Sequence, residues 1–280
     1  SGANIYEINT LRKHLDGVKG GKLARLAAPA RMITLILSDV VGDPLDMIAS
    51  GPTVPDPTSF ETARSVLEKY QLLEKTPATI QVYLERGIRG LVPENPTQDD
   101  PLFENVQNVI VGNNVLAAKA ALVAAEQAGF HAILLTTYLQ GEARQAGQFL
   151  AAIARQIDAD GHPVPRPACL ICGGETTVTV TGNGLGGRNQ EMALGAVGDL
   201  AGLPNIALVT LATDGGDGPT DAAGAVVTGE TLSRALAAGM HPAVYLERND
   251  SYHFFHALGD LIKPGPTCTN VNDLAFLFAF

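Results

Sequence analysis

At 280 residues with 46% hydrophobic content, the chain is long enough to bury a sizeable core, and two domains are expected rather than one. The 29 acidic against 19 basic residues give a formal charge of -10, which repels nucleic acid and anionic lipid and argues against both as partners. Anionic metabolites still fit wherever basic residues or helix N-termini gather locally. Apolar runs such as 32–40 and 206–213 fall well short of the roughly 18 residues that span a bilayer, and the polar opening carries no secretion signal core. Three cysteines are an odd count and too few for a disulfide-built fold, so a cytoplasmic location is expected.

Helical periodicity runs from Ile5 to about Leu15, breaks at "DGVKGG" and resumes through Leu23 and Leu26. A buried strand is predicted over Met32–Val40, followed by a long acidic, Gly- and Pro-rich exit whose length suits a functional loop. Thr58-x-x-Glu61 reads as a capping box for a helix through Tyr70, and Thr76-Pro77 as the start of another. From 106 onward "VQNVIVGNN", an Ala-rich helix, "HAILLTT" and a further helix alternate as in βαβ units on a parallel sheet. The segment 160–168 holds three prolines and no periodicity, so the domain boundary is placed there, giving domains 1–163 and 164–280. "CLICGGETTVTVT" reads as two strands joined by a Gly-Gly-Glu turn, then a glycine loop enters a helix near Asn189. "IALVTLAT" is a second buried strand, and Ala275–Phe280 a final one.

Gly182, Gly184 and Gly187 match G-x-G-x-x-G between a predicted strand and a predicted helix. Glycines there let backbone amides approach an anion, and the helix start adds partial positive charge. The dinucleotide variant of this motif also needs an acid about 20 residues on, and Asp214 comes late for it. A plain glycine-rich turn is the competing reading. Arg188 follows at once, and a guanidinium beside such a loop suits a carboxylate or transferring phosphoryl group. Asp214, Asp217 and Asp221 lie directly after a buried strand, where α/β proteins place ligands, although Asp-Gly pairs also make ordinary turns. Such carboxylates suit Mg²⁺ or a hydroxyl proton. "SDVVGD", with Ser38, Asp39 and Asp43, is a second acidic strand exit, and "CTNVNDL" offers Asn270, Asn272 and Asp273 for hydrogen bonds to a hydroxylated substrate or for a turn. Cys169 and Cys172 face opposite sides of an apolar strand and read as buried thiols; His253 and His256 lack a third metal ligand. No P-loop and no hydrolase elbow is present.

Taken together, "EINTLRKHLDGVKGGKLA", "LSDVVGDPLDMIASGPTVPDPT", "CGGETTVTVTGNGLGGRNQE", "TDGGDGPTDAAGA" and "TNVNDL" resemble the glycerate kinases that carry a C-terminal MOFRL domain, in order and spacing. The resemblance implies a two-domain α/β protein, with a Rossmann-like parallel-sheet domain, incomplete here, and a smaller MOFRL domain with a mixed sheet. It implies ATP- and Mg²⁺-dependent phosphorylation of D-glycerate to 2-phosphoglycerate in an interdomain cleft, by a monomer or homodimer. The family's active-site residues fall on Arg188, Asp214, Asn270 and Asp39, and the glycine-rich block places nucleotide or phosphate contacts at Gly173, Gly174, Glu175, Gly184, Gly186, Gly187 and Asn189. The metal ligands stay unassigned. A preceding segment that supplies a lysine in the family is expected to be missing from this sequence. The alternatives are an NAD(P)H-dependent hydroxypyruvate reductase and a non-catalytic glycerate- or nucleotide-binding remnant.

Overall fold

The computed structural model describes residues 2–280. It divides into two compact units: one reaching to Ile36 and resuming over Asp43–Val111, the other formed by Leu37–Gly42 and Gly112–Phe280. Each is α/β, the first with a two-stranded parallel sheet and the second with a six-stranded mixed one, as the class reading expects.

In the first unit, α1 (Ile5–Leu15) begins at a capping box in which Asn4 and Glu7 satisfy each other's backbone amides. α2 (Lys22–Ala27) follows, then β1 (Met32–Leu37), α3 (Phe60–Lys69), α4 (Ala78–Ile88) and β2 (Val106–Gly112). Phe60, Ala63, Leu67 and Leu84 form the core under α1, and Gly87 is needed in α4 because a Cβ there would lie 2.2 Å from the Phe60 ring. The caps differ from expectation: Ser59, not Thr58, receives the Thr62 amide, because Thr58 is drawn to Asp56, and Thr76 bonds back to Leu72. β1 is shorter than predicted and alternates, with Ile33 and Leu35 exposed, so the expected buried strand is half-buried here.

In the second unit α5 (Asn114–Gln127), β3 (His131–Leu139), α6 (Ala143–Asp160) and β4 (Ala168–Gly174) come first. Then follow α7 (Arg188–Leu200), β5 (Ile206–Ala212), β6 (Gly224–Thr228), α8 (Thr231–Ala237), α9 (Pro242–Arg248), α10 (Ser251–Leu258), β7 (Leu261–Ile262) and β8 (Asp273–Ala279). The strand order is β3-β4-β8-β5-β6-β7. β3 and β4 are parallel, and β8 runs antiparallel between β4 and β5. Leu170 and Cys172 pack with α6 and α7, whereas Cys169 and Ile171 pack with α5, the period-two alternation of a strand buried on both faces. Burial pushes the two thiols up to about 11 for Cys169 and about 12 for Cys172, which makes them inert packing groups. α6 lies against α7 so closely that a Cβ at Gly147 would stand 1.9 Å from the Met192 carbonyl.

One expectation fails here. Residues 176–181 form no second strand of a hairpin; one isolated bridge joins Thr177 to Glu142, and the antiparallel neighbour of β4 is β8. The prolines of 160–168 connect α6 to β4 inside the second compact unit, whereas the sequence places a domain boundary at 163/164.

Candidate functional site

The carboxyl ends of β3, β4 and β5 meet the amino end of β8, since Gly174 pairs with Leu139 and Asp273, and Asp273 pairs with Ala212. Chain ends of this kind are where open α/β sheets place ligands. Gly174, at φ 147°, is confined to glycine because a Cβ would meet the Leu139 carbonyl at 2.2 Å. From this rim Glu175 follows β4, Asp214 follows β5, Asn270 and Asn272 precede β8, and Arg188 opens α7.

Arg188 is the centre of the arrangement. Its Nε and Nη2 donate to the two carboxylate oxygens of Asp273 at 2.5 and 3.0 Å, and Nη1 lies 3.2 Å from Glu175 Oε1. Burial alone would weaken its charge, but the Asp273 hydrogen bond and the charges of Asp273, Glu175 and Asp217 outweigh that and raise its pKa. Glu175 moves the other way from an ordinary carboxylate: burial raises it, Arg188 opposes, and Asp273 and Asp39 add to the rise. Asp39 therefore lies within electrostatic reach of Glu175.

A pocket of about 530 Å³ opens beside these groups, lined by Glu175, Gly184, Gly186, Gly187, Arg188 and Glu191 among others. Glu191 carries an ion pair to Arg144, and burial raises its pKa against that pull. Gly173, Gly174 and Asn189 do not line this pocket. Gly173 and Gly174 are ladder residues of β4, and Asn189 is 1% exposed with its side-chain amide on Asp217.

The glycines of the loop have a cause that their spacing does not reveal. A Cβ at Gly182 or Gly184 would collide with the backbone at Arg248, one at Gly186 with Ser251, and one at Gly187 with the Asp217 carboxylate. The loop amides are also spoken for: Thr181 and Gly182 donate to Asn249 Oδ1, Gly184 to the Arg248 carbonyl and Leu185 to Asp250 Oδ1. Gly186 and Gly187 line the pocket, and among the described residues their amides have no internal acceptor. The start of α7 is likewise occupied. Gly187 has no side chain to cap it, so buried Asp217 accepts from the Asn189 and Gln190 amides at 3.1 and 2.9 Å and from both their side chains. Asp217 thus serves the helix rather than a ligand, and burial raises its pKa despite those bonds.

Removing that cap should be costly. Asp217→Ala is expected to destabilise the protein by about 2–4 kcal/mol, combining a lost cap with buried amides left unpaired. A urea melt that moved by less than about 0.5 kcal/mol would contradict the capping assignment.

Asp214 is exposed, with Oδ1 accepting the Gly216 amide, and Asn270 accepts the Asn272 amide; both sit in turns. Those turns are tied together, since Thr213 Oγ1 binds the Asn272 carbonyl and accepts the Val271 amide. The structure places Arg188, Glu175, Gly184, Gly186 and Gly187 around one pocket, and it adds two roles that the sequence does not announce: Asp273 as the arginine's partner and Asp217 as a cap. An uncapped helix start at Gly187 was the available sign of the latter.

An arginine clamped by a carboxylate and a glycine loop thus lie together at the strand ends of an α/β sheet. The MOFRL family model matches residues 168–273 and a domain of unknown function, DUF4147, matches residues 1–85. The chain is 46% identical over 275 residues to a glycerate 2-kinase of Pyrococcus horikoshii, covering 98% of this chain and 61% of that protein. It is 39% identical over 320 residues to a glycerate kinase of Macaca fascicularis, covering 99% of this chain and 79% of that one. The crystal structure of a glycerate kinase from Thermotoga maritima superposes with a TM-score of 0.91 at 44% identity, covering all of this chain and 64% of that one. The chain belongs to the MOFRL-bearing glycerate kinase family. It spans 61% of the length of the Pyrococcus relative and 64% of the Thermotoga structure.

Proposed function

We propose that the protein transfers the γ-phosphoryl group of ATP to D-glycerate, giving 2-phosphoglycerate and ADP. The observation that carries this reading is Arg188, fixed along one edge by Asp273 and lining a pocket together with Gly186 and Gly187. Phosphoryl transfer asks mainly for positioned positive charge and oriented reactants, which this arrangement supplies. The relatives named above carry glycerate kinase names, which supports the same substrates here. The glycine loop packs on its own chain rather than opening a dinucleotide βαβ unit, which weighs against the reductase alternative.

In this reading Arg188 and the two amides hold the transferring group. Asp39, exposed and within reach of the electrostatics around Glu175, accepts the substrate hydroxyl proton. Asn270 orients the substrate by hydrogen bonds. Among the described residues no three His, Cys, Asp or Glu side chains converge as a metal cage. Mg²⁺ commonly rests on one or two carboxylates plus phosphate oxygens, and exposed Asp214 is the carboxylate that would join the nucleotide's own phosphates in holding it. Bound so, the cation would neutralise phosphate charge. Among the described residues no helix is long and apolar enough to cross a membrane, and the unpaired cysteines support a cytoplasmic setting. A monomer or homodimer suits a site drawn from one chain.

The test is ADP release with D-glycerate, ATP and Mg²⁺, with the product isomer read by phosphorus NMR. Saturable release matched by 2-phosphoglycerate is the expected result; no release from the full-length protein would end the kinase reading. Asp39→Asn is expected to lower kcat by roughly 10²–10⁴-fold, the range of a lost general base, with glycerate binding retained by calorimetry. A loss below tenfold would remove the role from Asp39.

A further inference from the structure

We infer that Glu175 is an internal competitor for the anion that Arg188 receives, so that substrate must displace one carboxylate of its own enzyme from the guanidinium. The inference rests on the kinase reading for its substrate, and on geometry for the competition. The two carboxylates on Arg188 are not equivalent. Asp273 is 6% exposed, takes Nε and Nη2 together, and has its backbone locked in the ladder between Gly174 and Ala212. It is a permanent orienting partner. Glu175 makes a single contact, to Nη1 at 3.2 Å, and its side chain is 43% exposed. It follows the last residue of β4 and lines the same pocket as Arg188, so it is free to leave.

With both carboxylates in place the guanidinium is over-neutralised, one positive charge against two negative. An anionic oxygen group entering the pocket meets Arg188 through Nη1, the corner that Asp273 leaves, and Glu175 holds that corner. Burial, Asp273 and Asp39 all disfavour the Glu175 charge, which fits a group held in place by Arg188 alone and ready to give way. The incoming group is either the carboxylate of glycerate or the transferring phosphoryl group; both present the same oxygens to Nη1. Competition of this kind lowers affinity for any anion that does not bring further contacts to replace Glu175, and so raises discrimination against small inert anions.

The experiment is Glu175→Gln, which keeps size and hydrogen-bonding reach but removes the charge. Isothermal titration calorimetry would measure D-glycerate, and sulfate as a stand-in for the phosphoryl group, on the full-length protein. Glu142→Gln is the control: it removes the same charge from a side chain that binds Thr179 and Arg144 and does not touch Arg188. Glu175→Gln should tighten at least one of the two ligands three- to tenfold and lower the corresponding KM, while Glu142→Gln leaves both affinities within twofold. Tightening of glycerate alone places its carboxylate on Nη1; tightening of sulfate alone places the phosphoryl group there. Unchanged or weaker binding of both, or equal tightening in both variants, overturns the competition. Should no variant phosphorylate glycerate while sulfate binding still tightens in Glu175→Gln, the kinase reading falls and the competition stands. Turnover with unchanged KM and affinity leaves the reverse.

Discussion

Arg188→Ala should lower kcat/KM for ADP release by about 10³-fold or more, the scale at which an arginine on a transferring phosphoryl group acts. The loss has two parts. The positive charge disappears from the transition state, and Asp273, 6% exposed and bonded through both oxygens, is left as a buried carboxylate beside Glu175 and near Asp217. The site therefore turns from an anion receiver into an anion repeller. Arg188→Lys separates these effects. An ammonium keeps the charge but cannot span both Asp273 oxygens and reach Nη1's position at once, so most of the loss should persist. Arg188→Ala combined with Asp273→Asn removes the stranded carboxylate and should recover substrate binding more than turnover. The measurement is steady-state ADP release alongside calorimetric glycerate binding. Activity within tenfold of wild type in Arg188→Ala would take Arg188 out of the reaction.

The helices were legible wherever local signals sufficed. Ile5–Leu15 shows its period in the sequence itself, and α5 and α6 end at glycines beyond their last periodic residues. Pairing was less legible. The apolar run of β4 announced a buried strand, but its antiparallel partner is β8, the last strand of the chain, and no local pattern tells a distant partner from the adjacent "TTVTV" segment. The same limit applies to the site. Arg188 stands out beside its glycines, whereas Asp273 lies 85 residues away and reads as part of a turn. The glycines stand out by spacing, but what excludes a Cβ at Gly186 or Gly187 is Ser251 or Asp217, each brought in by tertiary packing and invisible to the local pattern. β1 misled in another way: its residues have the composition of a buried strand, while the alternation of its burial depends on neighbours that its own six residues do not encode.

The second large effect is expected far from Arg188, at Lys13. Its side chain is 2% exposed, with Nζ 3.1 Å from Asp46 and 3.3 Å from Asp56, and the Asp56 side chain is fully buried. Asn95 and Thr58 complete the Asp56 hydrogen bonds, so the cluster ties α1 to both ends of the loop 46–56. Lys13→Met preserves the aliphatic packing but leaves a buried carboxylate without its cation, which costs about 3–5 kcal/mol where such pairs are broken. The pH dependence gives the assignment its sign. Burial pushes the Asp56 pKa up, but the Asn95 and Thr58 bonds and the Lys13 charge overcome it and hold the group below 3.8. Its ionised form therefore adds stability above the ordinary aspartate range, and that contribution is lost as pH falls through it. Without Lys13 the pKa rises, so ionisation of Asp56 stabilises the fold less. The deficit of Lys13→Met should be largest near pH 7 and narrow as the pH drops toward the carboxylate range. Lys13→Met with Asp56→Asn should regain most of the loss, since the stranded charge is gone. Urea unfolding at pH 7 and pH 5 measures both. A deficit under about 1 kcal/mol at pH 7, or one that is no smaller at pH 5, would mean that Lys13 is held by packing and not by its two carboxylates.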